Sequence, residues 1–190
     1  MALLGTGCAT AYRDSAADEA LAEAAPTEAA LSHQFTSNRL SKAQLDAFQI
    51  RAQQKLRDFI DYLTIIANPA LDSAFRHIAA QQAEQLFTSP QAVVRAWLGS
   101  PGEPELVSIS SFLEALIQQE GVLTFSIEQL AVDQPLVLND SAQYEGELSF
   151  NISGTAGRAT HRTGVVVKKV TKKFGQETDS VWEVFLKDIQ

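Results

Sequence analysis

Three histidines, one cysteine and two adjacent serines are the side chains in this sequence best suited to metal binding or nucleophilic chemistry. Their spacing argues against most of it. His33, His77 and His161 are far apart and form no HxxxH or HxH pair, so no helix or strand presents two imidazoles to one zinc ion. The single cysteine, Cys8, excludes an intramolecular disulfide and a cysteine-cluster zinc site. Ser110 and Ser111 lack the Gly-x-Ser-x-Gly setting of a nucleophile elbow. Gly154-Thr-Ala-Gly157 has neither the spacing nor the Lys-Ser/Thr ending of a phosphate loop and reads as a hairpin turn. These patterns assign no catalytic residue, metal or cofactor, and they identify no ligand-binding residues.

Charge narrows the choice of partners. The formal net charge of -8 argues against generic nucleic-acid binding, which needs a positive field. Against that background Arg158, Arg162, Lys168, Lys169, Lys172 and Lys173 cluster in one stretch. They could meet anionic lipid headgroups, an acidic partner or the chain's own acidic segment, or they could be lysines that keep strand edges from pairing.

Cys8 has a second reading. Leu3-Leu4-Gly5-Thr6-Gly7-Cys8 resembles the end of a bacterial lipoprotein signal peptide, in which small residues precede a cysteine that is lipidated and becomes the new N-terminus. The basic n-region is missing and the apolar h-region is almost absent, which a start further upstream would explain. The alternative is an incidental thiol in a leader. Residues 13–30 follow, with five acidic residues and one base. Leu21 is their single large aliphatic residue, so they cannot bury enough to offset ordering entropy. Residues 1–38 are therefore expected to be a leader and a disordered, acidic, alanine-rich tether, with residues 39–190 a single folded domain. No run of eighteen apolar residues appears, so any membrane attachment would be through a lipid anchor.

The domain must supply the elements that position any site. Ser41-Lys42-Ala43-Gln44 is a capping-box pattern. Leu45, Phe48, Ala52, Leu56, Phe59, Leu63 and Ile66 then recur at helical spacing, up to the stop at Asn68-Pro69. The same dipeptide is expected to open a second helix, with a stripe of Leu71, Phe75, Ile78, Ala79, Ala83 and Leu86. Ser89-Pro90 predicts a short third helix carrying Val93, Val94 and Trp97. Val107-Ser-Ile109 suggests a short strand, and Ser111 to Glu114 a capping box that leads a helix through Leu116. After Gly121 the period changes to two. Strands are expected around Leu123–Ile127, Tyr144–Ile152, Gly164–Lys173 and Ser180–Asp188. Helices first and strands after predict an α+β fold with an antiparallel sheet. Trp182, Val184 and Leu186 should share one face of a near-central strand.

This order resembles the nuclear transport factor 2-like superfamily. The closing stretch, Val165 to Val170 and then Val181-Trp-Glu-Val-Phe-Leu-Lys-Asp-Ile189, is similar to the last two strands of envelope proteins of that fold from Bacteroidetes-type bacteria. The resemblance implies a bent sheet wrapping the long helix into a cone, a pocket at its mouth and homodimers formed through the sheet. Ketosteroid isomerases of that superfamily set a helix tyrosine near carboxyls. Tyr62 borders the first stripe here, and Glu145 and Glu147 alternate on the strand face opposite Tyr144 and Leu148. Two functions follow. One is a non-catalytic module of the cell envelope, lipid-anchored at Cys8, that binds a small ligand or an envelope partner. The alternative is a small-molecule enzyme using the cone for acid-base chemistry, with a cytoplasmic location if Cys8 is incidental. A cone filled by Phe48, Leu56, Phe59 and Phe150 would favour the module.

Overall fold

The computed structural model describes residues 39–95, 106–155, 157–175 and 177–190. The expected leader, tether and Cys8, as well as His33 and Trp97, lie outside the described residues. No described helix is long and apolar enough to cross a membrane.

The long first helix, α1, spans Lys42–Ile66. Its buried positions, Ala52, Leu56, Phe59, Ile60, Leu63 and Ile66, are three and four apart, as one apolar stripe requires. Phe48 is half-buried at the near end. The second helix, α2, spans Ser73–Glu84 and corrects two expectations. It starts at Ser73, not at Pro69, because Asp72 is the cap: its Oδ1 accepts from the amides of Ala74 at 2.8 Å and Phe75 at 3.3 Å. Asn68 instead closes a turn, accepting from the Ala70 amide at 3.1 Å. The inward face of α2 is Arg76, Ala79 and Ala83, while Phe75 and Ile78 are 49 % and 54 % exposed. The small alanines bring α2 close to α1, while Phe75 and Ile78 of the expected stripe are turned outward.

Ser89-Pro90 opens a turn, with the Ala92 amide donating to Ser89 O at 3.0 Å, and a strand follows where a helix was expected. This strand, β1, is Val93–Arg95. Its β-branched Val93 and Val94 suit an extended chain, and two adjacent partners complete the ladder. Strand β2 is Leu106–Ser108 and runs directly into helix α3, Ile109–Ile117. The cap of α3 is Ser108, accepting from the Ser111 amide at 3.1 Å, so the expected capping box at Ser111 begins one turn late. Ile109, Phe112, Leu113 and Leu116 are buried.

Four long strands follow: β3 Phe125–Leu138, β4 Tyr144–Gly154, β5 Gly157–Phe174 and β6 Glu177–Ile189. β4, β5 and β6 exceed their expected bounds, and β3 starts at Phe125, two residues after the expected Leu123, but runs eleven residues past Ile127, because cross-strand pairing carries polar residues into the ladder. The six-stranded sheet has the order β2-β1-β6-β5-β4-β3. It is antiparallel except where Val94 of β1 meets Ile189 of β6 in parallel, so the sheet is mixed and the fully antiparallel expectation fails at that one join. The join is secured by the Val93 amide donating to Asp188 Oδ1 at 2.7 Å and by paired bonds between Leu186 and residues 86 and 88.

On one sheet face lie Tyr144, Leu148, Phe150 and Ile152, beside Val165, Val167, Val184 and Leu186, all buried. Between the pairs Thr163–Ile189 and Val165–Leu186, two residues of β6, Lys187 and Asp188, oppose the single Gly164 of β5. This bulge lets Leu186 and Ile189 both turn inward, and both are fully buried. Helix α1 packs against β3 and β6, so the α+β class holds.

Candidate functional site

The helix-side face of the sheet, which the enzyme alternative needs open as a cone, is packed with side chains. Leu56, Phe59 and Leu63 of α1 are fully buried, as are Leu148, Phe150 and Leu186 of the sheet to within 2 %. The Phe59 ring stands edge-on to Phe87, centroids 5.0 Å apart, an arrangement the ring quadrupoles favour. Between α1 and the middle of β3 and β4 a hollow of about 10 Å³ remains, the volume of roughly one water.

A more open cleft of about 280 Å³ lies further along α1, against the start of β3. Gln54, Arg57 and Asp61 of α1 face Phe125, Ser126 and Ile127 across it. Its size is close to the lower bound of small-ligand pockets. The Gln54 amide is held by Asp58, donating to Oδ1 at 2.8 Å.

Tyr62 is half-buried on α1. Glu145 and Glu147 alternate to the other face of β4, where cations hold them: Glu145 meets Lys187 at 3.4 Å and Glu147 meets Arg162 at 3.8 Å. The structure thus brings these carboxylates to basic residues of β5 and β6.

The histidines do not converge. His77 is exposed, its Nδ1 2.7 Å from Ser73 O, a bond within its own helix. His161 is 2 % exposed, with its ring 5.7 Å from that of Phe150. Burial holds its pKa below the usual histidine value; the Gln190 backbone opposes this shift and the Arg95 charge adds to it. Among the described residues no three His, Cys, Asp or Glu side chains come together as a metal site. The two serines serve structure: Ser110 Oγ donates to Glu84, and Ser111 is bonded to the cap Ser108. Gly154 and Gly157 pair across a hairpin, as expected, and Gly157 takes a φ of +115°, which favours glycine.

Strand alternation divides the basic cluster. Arg158 pairs with Glu128, and Arg162 with Asp133 at 3.3 Å. Lys169 lies over the Trp182 ring at 5.4 Å, and Trp182 also meets Tyr144 edge-on at 5.6 Å. Trp182 is half-buried, less enclosed than its face-mates Val184 and Leu186. Lys168 and Lys172 lie on the opposite face of the hairpin from Lys169, where Lys172 binds Glu183 at 2.8 Å.

Two constellations escape sequence reading. Lys55 of α1 reaches Glu183 and the Phe185 ring of β6, and nothing local to either segment signals this. Arg76, 8 % exposed, donates from Nε to Ile66 O at 2.6 Å and from Nη2 to Ile117 O at 2.7 Å. It bonds the last residues of α1 and α3 and meets the negative ends of both helix dipoles. The available signal was its spacing, three and seven residues before Ala79 and Ala83.

Comparisons with family models, with characterised proteins and with solved structures return no match to this chain.

Proposed function

We propose that this protein is a non-catalytic ligand-binding or assembly module of the bacterial cell envelope, with a nuclear transport factor 2-like arrangement and a lipid anchor at Cys8. The observation that carries the reading is the filled sheet face. Leu56, Phe59 and Phe150, three of the four side chains that would fill a cone in a binding module, are fully buried where an enzyme would keep room for substrate. Acid-base catalysis also needs a carboxyl in a desolvated, apolar setting. Glu145 and Glu147 sit instead beside Lys187 and Arg162. The accessible features lie outside this core, which suits recognition at the surface.

The test begins with Cys8. Expressed with its native upstream sequence, the protein should fractionate with membranes and incorporate labelled fatty acid, and Cys8→Ser should release it to the soluble fraction. Anchoring by two or more acyl chains is stable at about 0.8 kcal/mol per buried methylene, where one chain is marginal. Wild-type protein that stays soluble and unlabelled would refute the anchor and leave Cys8 an incidental thiol. The non-catalytic part of the reading is checked separately, by Tyr62→Phe in a screen of isomerase and hydrolase substrates. Turnover in wild type that Tyr62→Phe abolishes would restore the enzyme.

A further inference from the structure

Lys55 projects from the middle of α1, with its side chain 16 % exposed. The carboxylate oxygen it meets, Glu183 Oε1, is 3.9 Å from its Nζ, beyond hydrogen-bond length. The other oxygen of Glu183 is already taken by Lys172, at 2.8 Å. Lys55 and Lys168 each stand 5.0 Å from the centre of the Phe185 ring. Arg51 lies one turn earlier on α1 and exposed. Burial chiefly holds the Lys55 pKa below the usual lysine value, and Arg51 and Lys172 add to it; Glu183 and Asp58 oppose the shift without cancelling it. Asp58 is engaged by Gln54, and Asp179, across the hairpin from Lys172, accepts from the Ser180 amide at 2.7 Å. Glu183 is therefore the one carboxylate in ion-pair contact with this group of cations among the described residues.

The arrangement places two lysines on one glutamate, one of them half-buried and not hydrogen-bonded to it. In a chain of net charge -8 such a concentration of positive charge is an exception. Lys55 and Lys172 meet the same carboxylate, so they repel one another across it, and one negative charge cannot neutralise both. The hairpin and the helix keep the groups together because Phe185 and the lysine stems are packed there. A group with two negative charges and several acceptor oxygens would offer each ammonium a short bond and relieve the repulsion. A phosphate fits that description better than a single carboxylate does, since it has acceptors to spare for three cations.

We propose that Arg51, Lys55 and Lys172, with Lys168 beside the Phe185 ring, form a binding site for a phosphate group, carried on a small soluble molecule or on a lipid headgroup. The site does not depend on where the protein sits or on the anchor at Cys8. Glu183 plays a double part. It holds the cations in place when the site is empty, and it competes with the phosphate when the site fills.

The experiment uses the full chain. Inorganic pyrophosphate is titrated calorimetrically at low and at physiological salt, and flotation is measured with vesicles of phosphatidylcholine alone and of phosphatidylcholine with phosphatidic acid. Lys55→Met and Lys172→Met each keep the apolar stem, and Lys172 is exposed enough that its loss leaves the fold intact. Each should weaken binding by about tenfold, the equivalent of one charge-assisted bond. Glu183→Gln should tighten it several-fold. Lys187→Met, which removes a cation two residues beyond Phe185 on β6 that is paired with Glu145, should change it little. Pyrophosphate binding with this pattern places the group on a soluble ligand. The same pattern seen only on phosphatidic acid vesicles places it on a lipid. The proposal is overturned if neither probe binds, if Lys187→Met weakens binding as much as Lys172→Met, or if Glu183→Gln weakens it.

Discussion

Arg76→Met removes one guanidinium and keeps the apolar stem. In the native protein Nε and Nη2 bond Ile66 O and Ile117 O at 2.6 and 2.7 Å, and the side chain is almost wholly enclosed. A hydrogen bond to a charged group contributes about 1.5–3 kcal/mol, and a buried carbonyl left without a donor costs the same order. Loss of a cation from two helix C-termini adds about 0.3–1 kcal/mol at each. The terms overlap, so the expected loss is about 3–5 kcal/mol. For a domain of this size that lowers Tm by roughly 6–20 °C. Arg76→Lys keeps the charge but cannot span both carbonyls in fixed fork geometry, and should lose about 1.5–3 kcal/mol. Urea unfolding followed by circular dichroism measures both, with the slope m checked for constancy. A loss below about 1 kcal/mol for Arg76→Met would refute the argument, because water would then be satisfying both helix ends.

His161 is kept neutral by burial, so its folded pKa lies below the unfolded value. Its contribution is complete above about pH 6.5 and is lost as pH falls toward the folded pKa, since only the unfolded chain then takes up the proton, at up to about 1.4 kcal/mol per pH unit. His161→Phe should flatten the dependence of unfolding free energy on pH between about 7.5 and 5.5, and an unchanged slope would mean that the ring titrates freely. Gly154→Ala places a Cβ in direct clash with Thr124 O, and a backbone atom cannot yield as a side chain can. It should lower Tm by several degrees and loosen hydrogen-exchange protection at the start of β3; native-like protection there would show that the hairpin shifts at little cost.

Much of the local structure was legible. The stripe from Leu45 to Ile66 behind Ser41 gave α1 its length, its part from Ala52 on the buried face, and the change of period after Gly121 gave the last four strands. Both are local signals, set by 3.6 or 2 residues per repeat. The second helix was misread because Phe75 and Ile78 look like a core stripe, while the face turned inward carries alanines and an arginine. Hydrophobicity alone cannot tell an apolar face that packs from one that does not. Short apolar runs fared worst: Val93 and Val94 fit a helix or a strand equally, and pairing with β2 and β6 chose the strand.

The sequence by itself determined the α+β class, two helices at the start and a run of long strands at the end, the alternation of β4 that puts Tyr144 and Glu145 on opposite faces, and the hairpin at Gly154 and Gly157. Each follows from residues within a few positions of one another. The tertiary structure alone decided that β1 joins β6 in parallel, that Arg76 bonds two helix ends, and that Lys55 meets Glu183 and Phe185. Those contacts join segments far apart in the chain. They form because burying α1 on the sheet fixes the positions of its flanking side chains, and no local pattern encodes which distant residue a long cationic side chain will reach.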